Sequence, residues 1–195
     1  MGSKPGQEGE QHLAEERLSG EEVYAGVLLH VHRDGVRLPN GKHGTREYID
    51  HPGAVAVVPL LEGDRVLLER QFRYPLGRVM VEIPAGKIDP GEEPLATARR
   101  ELLEETGHVA AHWRHLGTIH PLVAYSNEHI ELFLATGITA SSKPALDDGE
   151  FLETFTLPLD DALEWVRTGR ITDSKTVIGL LWTERMRAGH WPYVP

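Results

Sequence analysis

The sequence predicts an α/β protein in which a mixed β-sheet is flanked by helices. Two observations carry this. Short segments rich in branched and aromatic residues, bounded by Gly, Pro, Asn or Asp, outnumber the helical segments. They also lie on both sides of one long helix in the middle of the chain.

VYAGVLLHVHRD (23–34) and TREYIDHPG (45–53) flank the turn-forming PNGKHG and predict a hairpin. AVAVVPLL (54–61) and RVLLERQFRY (65–74) form a second strand pair across Glu62-Gly63-Asp64, and VMVEIP (79–84) is a short strand after them. The central helix runs from about Pro94 to Thr106. Proline suits the first helical turn, where its missing N–H costs nothing, and Gly107 suits the left-handed stop. HLGTIHP (115–121) and HIELFLATG (129–137) are further strands, SSKPALDDGE (141–150) has loop chemistry, and FLETFTLP (151–158) is extended. LDDALEWVRTG (159–169) predicts an amphipathic helix closed by Gly169, and Asp173 or Ser174 can cap a last helix through TVIGLLWTERMRAG.

The 195 residues suit one domain with an appendage and a real core. The longest apolar run, AVAVVPLL, falls well short of the ~20 residues of a membrane-spanning helix and is interrupted by Pro59. MGSKPGQEGEQ lacks the apolar core of a secretory signal. No cysteine is present, so disulfides and thiolate ligands are excluded and a cytoplasmic location is expected. A formal charge of −10 disfavours nucleic-acid phosphates, which call for a basic face. No nucleic-acid or membrane partner is therefore expected, and an anionic ligand has to be met by cations gathered locally.

GKIDPGEEPLATARRELLEETGHV (86–109) poses the chemical question, because it crowds Glu92, Glu93, Glu101, Glu104 and Glu105 together. At helical spacing Glu101, Glu104 and Glu105 share one face, beside a Leu95, Ala98 and Leu102 stripe expected to rest on the sheet. Like charges so placed cost roughly a few tenths of a kcal/mol each, and the C-terminal end of the helix dipole adds to this. Arg99 and Arg100 offset part of the cost if the helix is only a solvated acidic face. The alternative offset is a hard divalent cation, since Mg²⁺ binds through one or two carboxylates plus substrate phosphates.

The spacing of the whole segment separates these readings. Gly86, five residues, Glu92, seven residues, Arg100-Glu101-Leu102, one residue, Glu104-Glu105, one residue, Gly107 resembles the Nudix box of the Nudix hydrolase superfamily at eight positions over 22 residues. One departure is His108, where the family usually carries an aliphatic residue; Val109 follows it. EYIDHPGAVAVVPLL, RVLLERQFRYPLG, VEIPAGKID and the closing DDGEFLETFTLPLDDALEWVRTGRITDSKTVIGLLW are similar to the branch that hydrolyses ADP-ribose and related nucleoside diphosphate sugars. The likeness covers about residues 45–185. It implies a Nudix fold, an α/β/α sandwich around a mixed sheet, with a strand-rich N-terminal extension. The expected organisation is a flexible terminus at 1–18, a β segment at 19–52 that joins a dimer interface, and the Nudix domain at 53–195. The implied reaction splits the diphosphate of ADP-ribose into AMP and ribose 5-phosphate with Mg²⁺ or Mn²⁺, two or more ions per site. The implied partners are a small nucleoside diphosphate sugar and a second copy of the chain.

Carried over position by position, the resemblance makes Glu101, Glu105 and the carbonyl of Ala85 metal ligands, with Glu104 next to them as a catalytic residue. Glu92 orients the loop and Arg100, at a position some members use in the metal shell. A general base is expected from the loop ALDDGEFLE: Glu150, with Asp148 in reserve, unless DDGE is merely a polar turn. Arg70 and Arg73 can grip a phosphate or ribose, against a bland reading as surface charge, and Glu82 can hydrogen-bond a base or ribose. Tyr24, Phe72 and Tyr74 are stacking residues for adenine or else core. A zinc site from His108, His112 and His115 is disfavoured, because Gly107 ends the helix before them. Two other functions compete. One is GDP-mannose or other nucleotide-sugar hydrolysis; the other is a sensor without turnover, although sensors commonly lose box acids that this chain keeps.

Overall fold

The computed structural model describes residues 9–146, 149 and 151–191. The chain divides into two units: the described residues up to His51 with Leu122–Glu128, and Pro52–Pro121 with the described residues from His129 onward.

The first unit is a three-stranded antiparallel sheet of β1 (Glu16–Ala25), β2 (His30–Arg37) and β3 (His43–Asp50), in that order. The β2–β3 hairpin forms as expected around PNGKHG, in register from His30↔Asp50 to Arg37↔His43. The single strand expected over 23–34 is instead the end of β1, a reversal and most of β2. Gly26 makes the reversal, its N–H donating to Leu29 O at 2.8 Å, while the apolar run around it imitates a continuous strand. β1 itself starts inside the stretch expected to be a flexible terminus, and every one of its residues is exposed. Ion pairs that hydrophobic patterning cannot read cross from β1 to β2. Arg17 pairs with the buried Asp34 at 2.7 Å, and Arg37 with Glu16 at 3.3 Å.

The second unit holds a seven-stranded sheet. Its strands are β4 (Ala54–Leu61), β5 (Arg65–Arg73), β6 (Arg78–Glu82), β7 (Ala85–Lys87), β8 (His108–Ile119), β9 (Ile130–Ala140) and β10 (Leu152–Pro158). The order is β10-β5-β4-β9-β8, with β6 on β5 and β7 on β4. β4 and β9 run parallel and the other pairs antiparallel, so the sheet is mixed. AVAVV at the start of β4 is buried on both faces. Ala54, Ala56 and Val58 join a cluster with Leu159 and Ala162 of α2 (Leu159–Arg167) and Leu180 of α3 (Ser174–Arg187). Val55 and Val57 join Ala98 and Leu102 of α1 (Pro94–Thr106) with Phe133 and Ala135 of β9. Alternating side chains thus place α1 on one face and α2 and α3 on the other, which is the expected sandwich. Fully burying one such leucine contributes roughly 1.5–3 kcal/mol, so Leu102 and Leu180 anchor opposite layers.

β8 starts directly after Gly107, earlier than the strand expected at 115. HVAAHWR lies at the sheet edge with alternate residues exposed, so it lacks the continuous apolar signal of β4. β7 aligns Gly86 with Val55 and Ala85 with Ala56, which ties the glycine of the central motif to the middle of the sheet where α1 also packs.

Candidate active site

α1 is built as its punctuation predicts. Glu93 occupies the cap position with extended backbone, Pro94 opens the first turn, and Gly107 ends the helix at φ 71°, its N–H donating to Leu103 O at 2.8 Å. A β-carbon at Gly107 would lie 2.3 Å from the carbonyl oxygen of Ser142, so the stop is set by packing as well as conformation. With Ala98 and Leu102 seated on the sheet, the carboxylates fall along the margin of the buried face. Glu105 is itself 4% exposed.

Arg100 joins the acids. Its Nη1 donates to Glu101 Oε1 at 2.8 Å and to Glu104 Oε2 at 3.0 Å. Nε and Nη2 donate to the two oxygens of Glu92 at 3.2 and 3.0 Å, and Nη2 reaches the Lys87 carbonyl at 3.3 Å. Thr97 Oγ1 donates to Glu92 at 2.8 Å. The bonds from Arg100, and then that from Thr97, hold the Glu92 carboxyl at about 2. Reciprocally, Glu92 first, then Glu104 and Glu101, keep the guanidinium protonated more firmly than usual. Glu92 is thus tied to Arg100 through both carboxylate oxygens and to Thr97. Part of the helix repulsion is offset by arginine, as one reading of the sequence required, and Arg100 supplies this while Arg99 stays exposed.

Glu101 and Glu105 do not splay into solvent. Glu101 and Glu105 line a cavity of about 500 Å³ with Glu104, Ala85 and Gly86. The Ala85 N–H donates to Glu105 Oε2 at 3.0 Å. A β-carbon on Gly86 would sit 1.9 Å from Glu101 Oε1, so the glycine is what lets that carboxylate close on the backbone. The carboxylate oxygens that line this cavity, beside Lys87 and Arg100, suit a hard divalent cation rather than a softer ion. Among the described residues no group of three acids or imidazoles closes a metal centre unaided.

A second polar group is buried a few residues upstream. β5 and β6 pair Glu69 with Glu82 and Arg73 with Arg78, so Arg73 and Glu82 share a face. Arg73 grips Glu82 with both prongs, Nε to Oε1 at 2.7 Å and Nη2 to Oε2 at 2.8 Å. Lys175 Nζ of α3 donates to the same Oε2, and to Asp173 Oδ2 at 3.1 Å. Burial pushes the Glu82 carboxyl up, but the bonds from Arg73 and the charge of Lys175 outweigh it and hold it at about 2. Asp173 caps α3 by accepting from the Thr176 N–H at 3.0 Å, and Thr176 Oγ1 accepts from the Ile83 N–H at 2.9 Å. Sequence reasoning found Arg73, Glu82 and the Asp173 cap but not Lys175. A buried lysine has no periodic signal, and its partner lies 93 residues away.

Residues 50–177 match the model of the NUDIX domain, and residues 15–49 match that of the nucleoside diphosphate sugar hydrolase N-terminal domain. The chain belongs to the Nudix family. An ADP-ribose pyrophosphatase of Bacillus subtilis (strain 168) is 37% identical to this Nudix chain over 177 residues, 90% of this chain and 96% of that one. A methanol dehydrogenase activator of Bacillus methanolicus is 38% identical over 175 residues, 89% and 95% of the two chains. A crystal structure of an ADP compounds hydrolase shares the fold at TM-score 0.80 and 23% identity, covering 90% of this chain and 95% of that one.

Within this Nudix fold the other expected site residues fall as follows. Arg70 is not brought to Arg73. An odd separation along β5 turns it to the opposite face, where its guanidinium lies 3.9 Å from the Phe155 ring centroid. Phe72 and Tyr74 are 55% and 87% exposed, so they are not core, and Tyr24 in the first unit is likewise exposed. His108 Nδ1 bonds the Thr106 carbonyl and His115 Nε2 bonds Glu131, at 2.8 and 2.6 Å. Glu150 and Asp148 lie outside the described residues.

Proposed function

We propose that this Nudix protein hydrolyses the diphosphate of ADP-ribose, or of a closely related nucleoside diphosphate sugar, to AMP and ribose 5-phosphate. The observation that carries this reading is the convergence of Glu101 and Glu105 on the Ala85–Gly86 backbone in one acid-lined cavity. A lone acidic face has no need of a glycine that admits a carboxylate to the main chain.

Glu101, Glu105 and the Ala85 carbonyl would hold Mg²⁺ or Mn²⁺, in two or more ions, with Glu104 beside them. Such ions neutralise phosphate oxygens, lower the pKa of an attacking water and steady the leaving group. Arg100 keeps Glu101 and Glu104 in place by hydrogen bonds that Glu92 anchors from behind. Arg73, with Glu82 fixing its inner edge, presents its outer N–H groups to an anionic or hydroxyl-rich part of the substrate. Glu150, just before β10, takes the proton of the attacking water, with Asp148 in reserve. The new bond joins water oxygen to phosphorus, the bridging P–O bond breaks, and the departing phosphate carries the electron pair.

A homodimer completes the proposal. Val23, Tyr24, Val27, Leu28 and Leu29 in the first unit are all at least 40% exposed, and a second copy would cover them. No helix among the described residues is long and apolar enough to cross a membrane, and a cytoplasmic site of action suits a nucleotide substrate.

The test is a panel of ADP-ribose, other nucleoside diphosphate sugars and GDP-mannose with Mg²⁺, analysed for products and repeated in chelator. ADP-ribose cleaved to AMP and ribose 5-phosphate, with activity abolished by chelator, is expected. Preferential release of mannose 1-phosphate would transfer the assignment to the competing hydrolase. Binding without turnover would make the protein a sensor.

A further inference from the structure

Lys175 is 8% exposed, far along the chain from the box, and the reaction just described makes no use of it. Burying an ammonium is costly unless it is paired, so its place calls for an explanation. Its partners supply one. Nζ donates to Glu82 Oε2, the oxygen that also accepts Arg73 Nη2, and to Asp173 Oδ2. The Glu82 carboxylate is therefore gripped from two sides, by Arg73, whose side chain is 41% exposed, and by Lys175, whose side chain is 10% exposed.

The charge balance shows what the lysine changes. Glu82, Asp173 and the buried Glu69, which lies opposite Glu82 on the same strand face and also acts on Arg73, bring three negative charges, against the two positive ones of Arg73 and Lys175. Without Lys175, Arg73 alone faces all three acids, and the negative excess that opposes an incoming anion grows. Geometry points the same way. Glu82 closes β6, its side chain shares a strand face with Arg73, and the next peptide N–H is tied to Thr176 on the first turn of α3. The start of α3 thus braces the carboxylate that aims the guanidinium.

We propose that Lys175 is a positioning residue for substrate binding: acting through Glu82, it orients Arg73 and leaves the outer edge of that guanidinium an effective cation for the substrate's phosphate or ribose. This rests on the reading of Arg73 and Glu82 as substrate-binding residues. Lys175 touches no substrate in this arrangement.

Steady-state kinetics with ADP-ribose and Mg²⁺ test it, together with the ¹⁵N signal of the Arg73 Nε–H. Lys175→Met, close to isosteric, is expected to raise KM about tenfold and change kcat less than about twofold. Lys175→Arg should return KM to within about threefold of the parent. The Arg73 Nε–H signal, protected from exchange in the parent, should become exchange-labile in Lys175→Met and recover in Lys175→Arg. Should Lys175→Met not fold, Lys175→Gln carries the same comparison. An unchanged KM and an unchanged Nε–H signal in a folded variant overturn the proposal, as does a fall in kcat alone. If the parent protein cleaves neither ADP-ribose nor any related nucleoside diphosphate sugar, the functional reading fails separately, and the Nε–H signal still decides whether Lys175 orients Arg73.

Discussion

Gly86 is where one added carbon tells most. The three atoms nearest a β-carbon there are the carboxyl end of the Glu101 side chain, the closest at 1.9 Å, and the φ of Gly86 is not in the left-handed region. Gly86→Ala is therefore expected to leave the melting temperature within about 3 °C while lowering kcat/KM at least about tenfold, because the flexible carboxylate gives way and not the sheet. A thermal melt beside a kinetic assay checks both halves; a large loss of stability would mean that the glycine serves the fold instead. Glu105→Gln keeps the shape and the hydrogen bond from Ala85 but removes the charge. A cost of at least about 100-fold in kcat, on the order of 3 kcal/mol, is expected with little change in the far-UV spectrum.

At the level of elements, α1 was readable because its message is local. Capping, stop and acid spacing all lie within 22 residues, and each names its position by chemistry alone. The brace at the start of α3 was not, since Lys175 and Glu82 meet only after β6 and α3 have docked. That brace has a pH signature. The Glu82 carboxyl is depressed from its ordinary 4.5 to about 2, so its contribution to stability is complete above 4.5 and is lost as pH falls through about 2. Glu82→Gln should accordingly unfold at lower urea than the parent at neutral pH, with the gap narrowing between pH 4.5 and 2. A gap that stays constant over that window would show that the carboxylate charge is not what stabilises the pair. The strand expected over 23–34 differs for the opposite reason: its apolar run is real, but the chain reverses within it at Gly26, whose N–H bonds the Leu29 carbonyl.

At the level of the molecule, the dimer is the prediction with most at stake. Sedimentation equilibrium should give twice the 21.7 kDa of one chain. Val27→Asp combined with Leu28→Asp, at residues 109% and 63% exposed, should reduce it to a single chain without unfolding it. If the parent sediments as a monomer, the exposed apolar residues of the first unit need another explanation.

What the sequence determined by itself were the features set by neighbours along the chain: the helix and its ends, the acids on one face, the strand pairs joined by tight turns, and the family through the spacing of the box. Tertiary structure alone decided which distant groups meet. It turned Arg70 onto Phe155 and away from Arg73, drew Lys175 under Glu82, and set Ala85 against Glu105. The physical reason is that local conformation follows from sterics and capping within a few residues, whereas the partner of a buried charge is chosen only when separate elements pack and water is excluded between them.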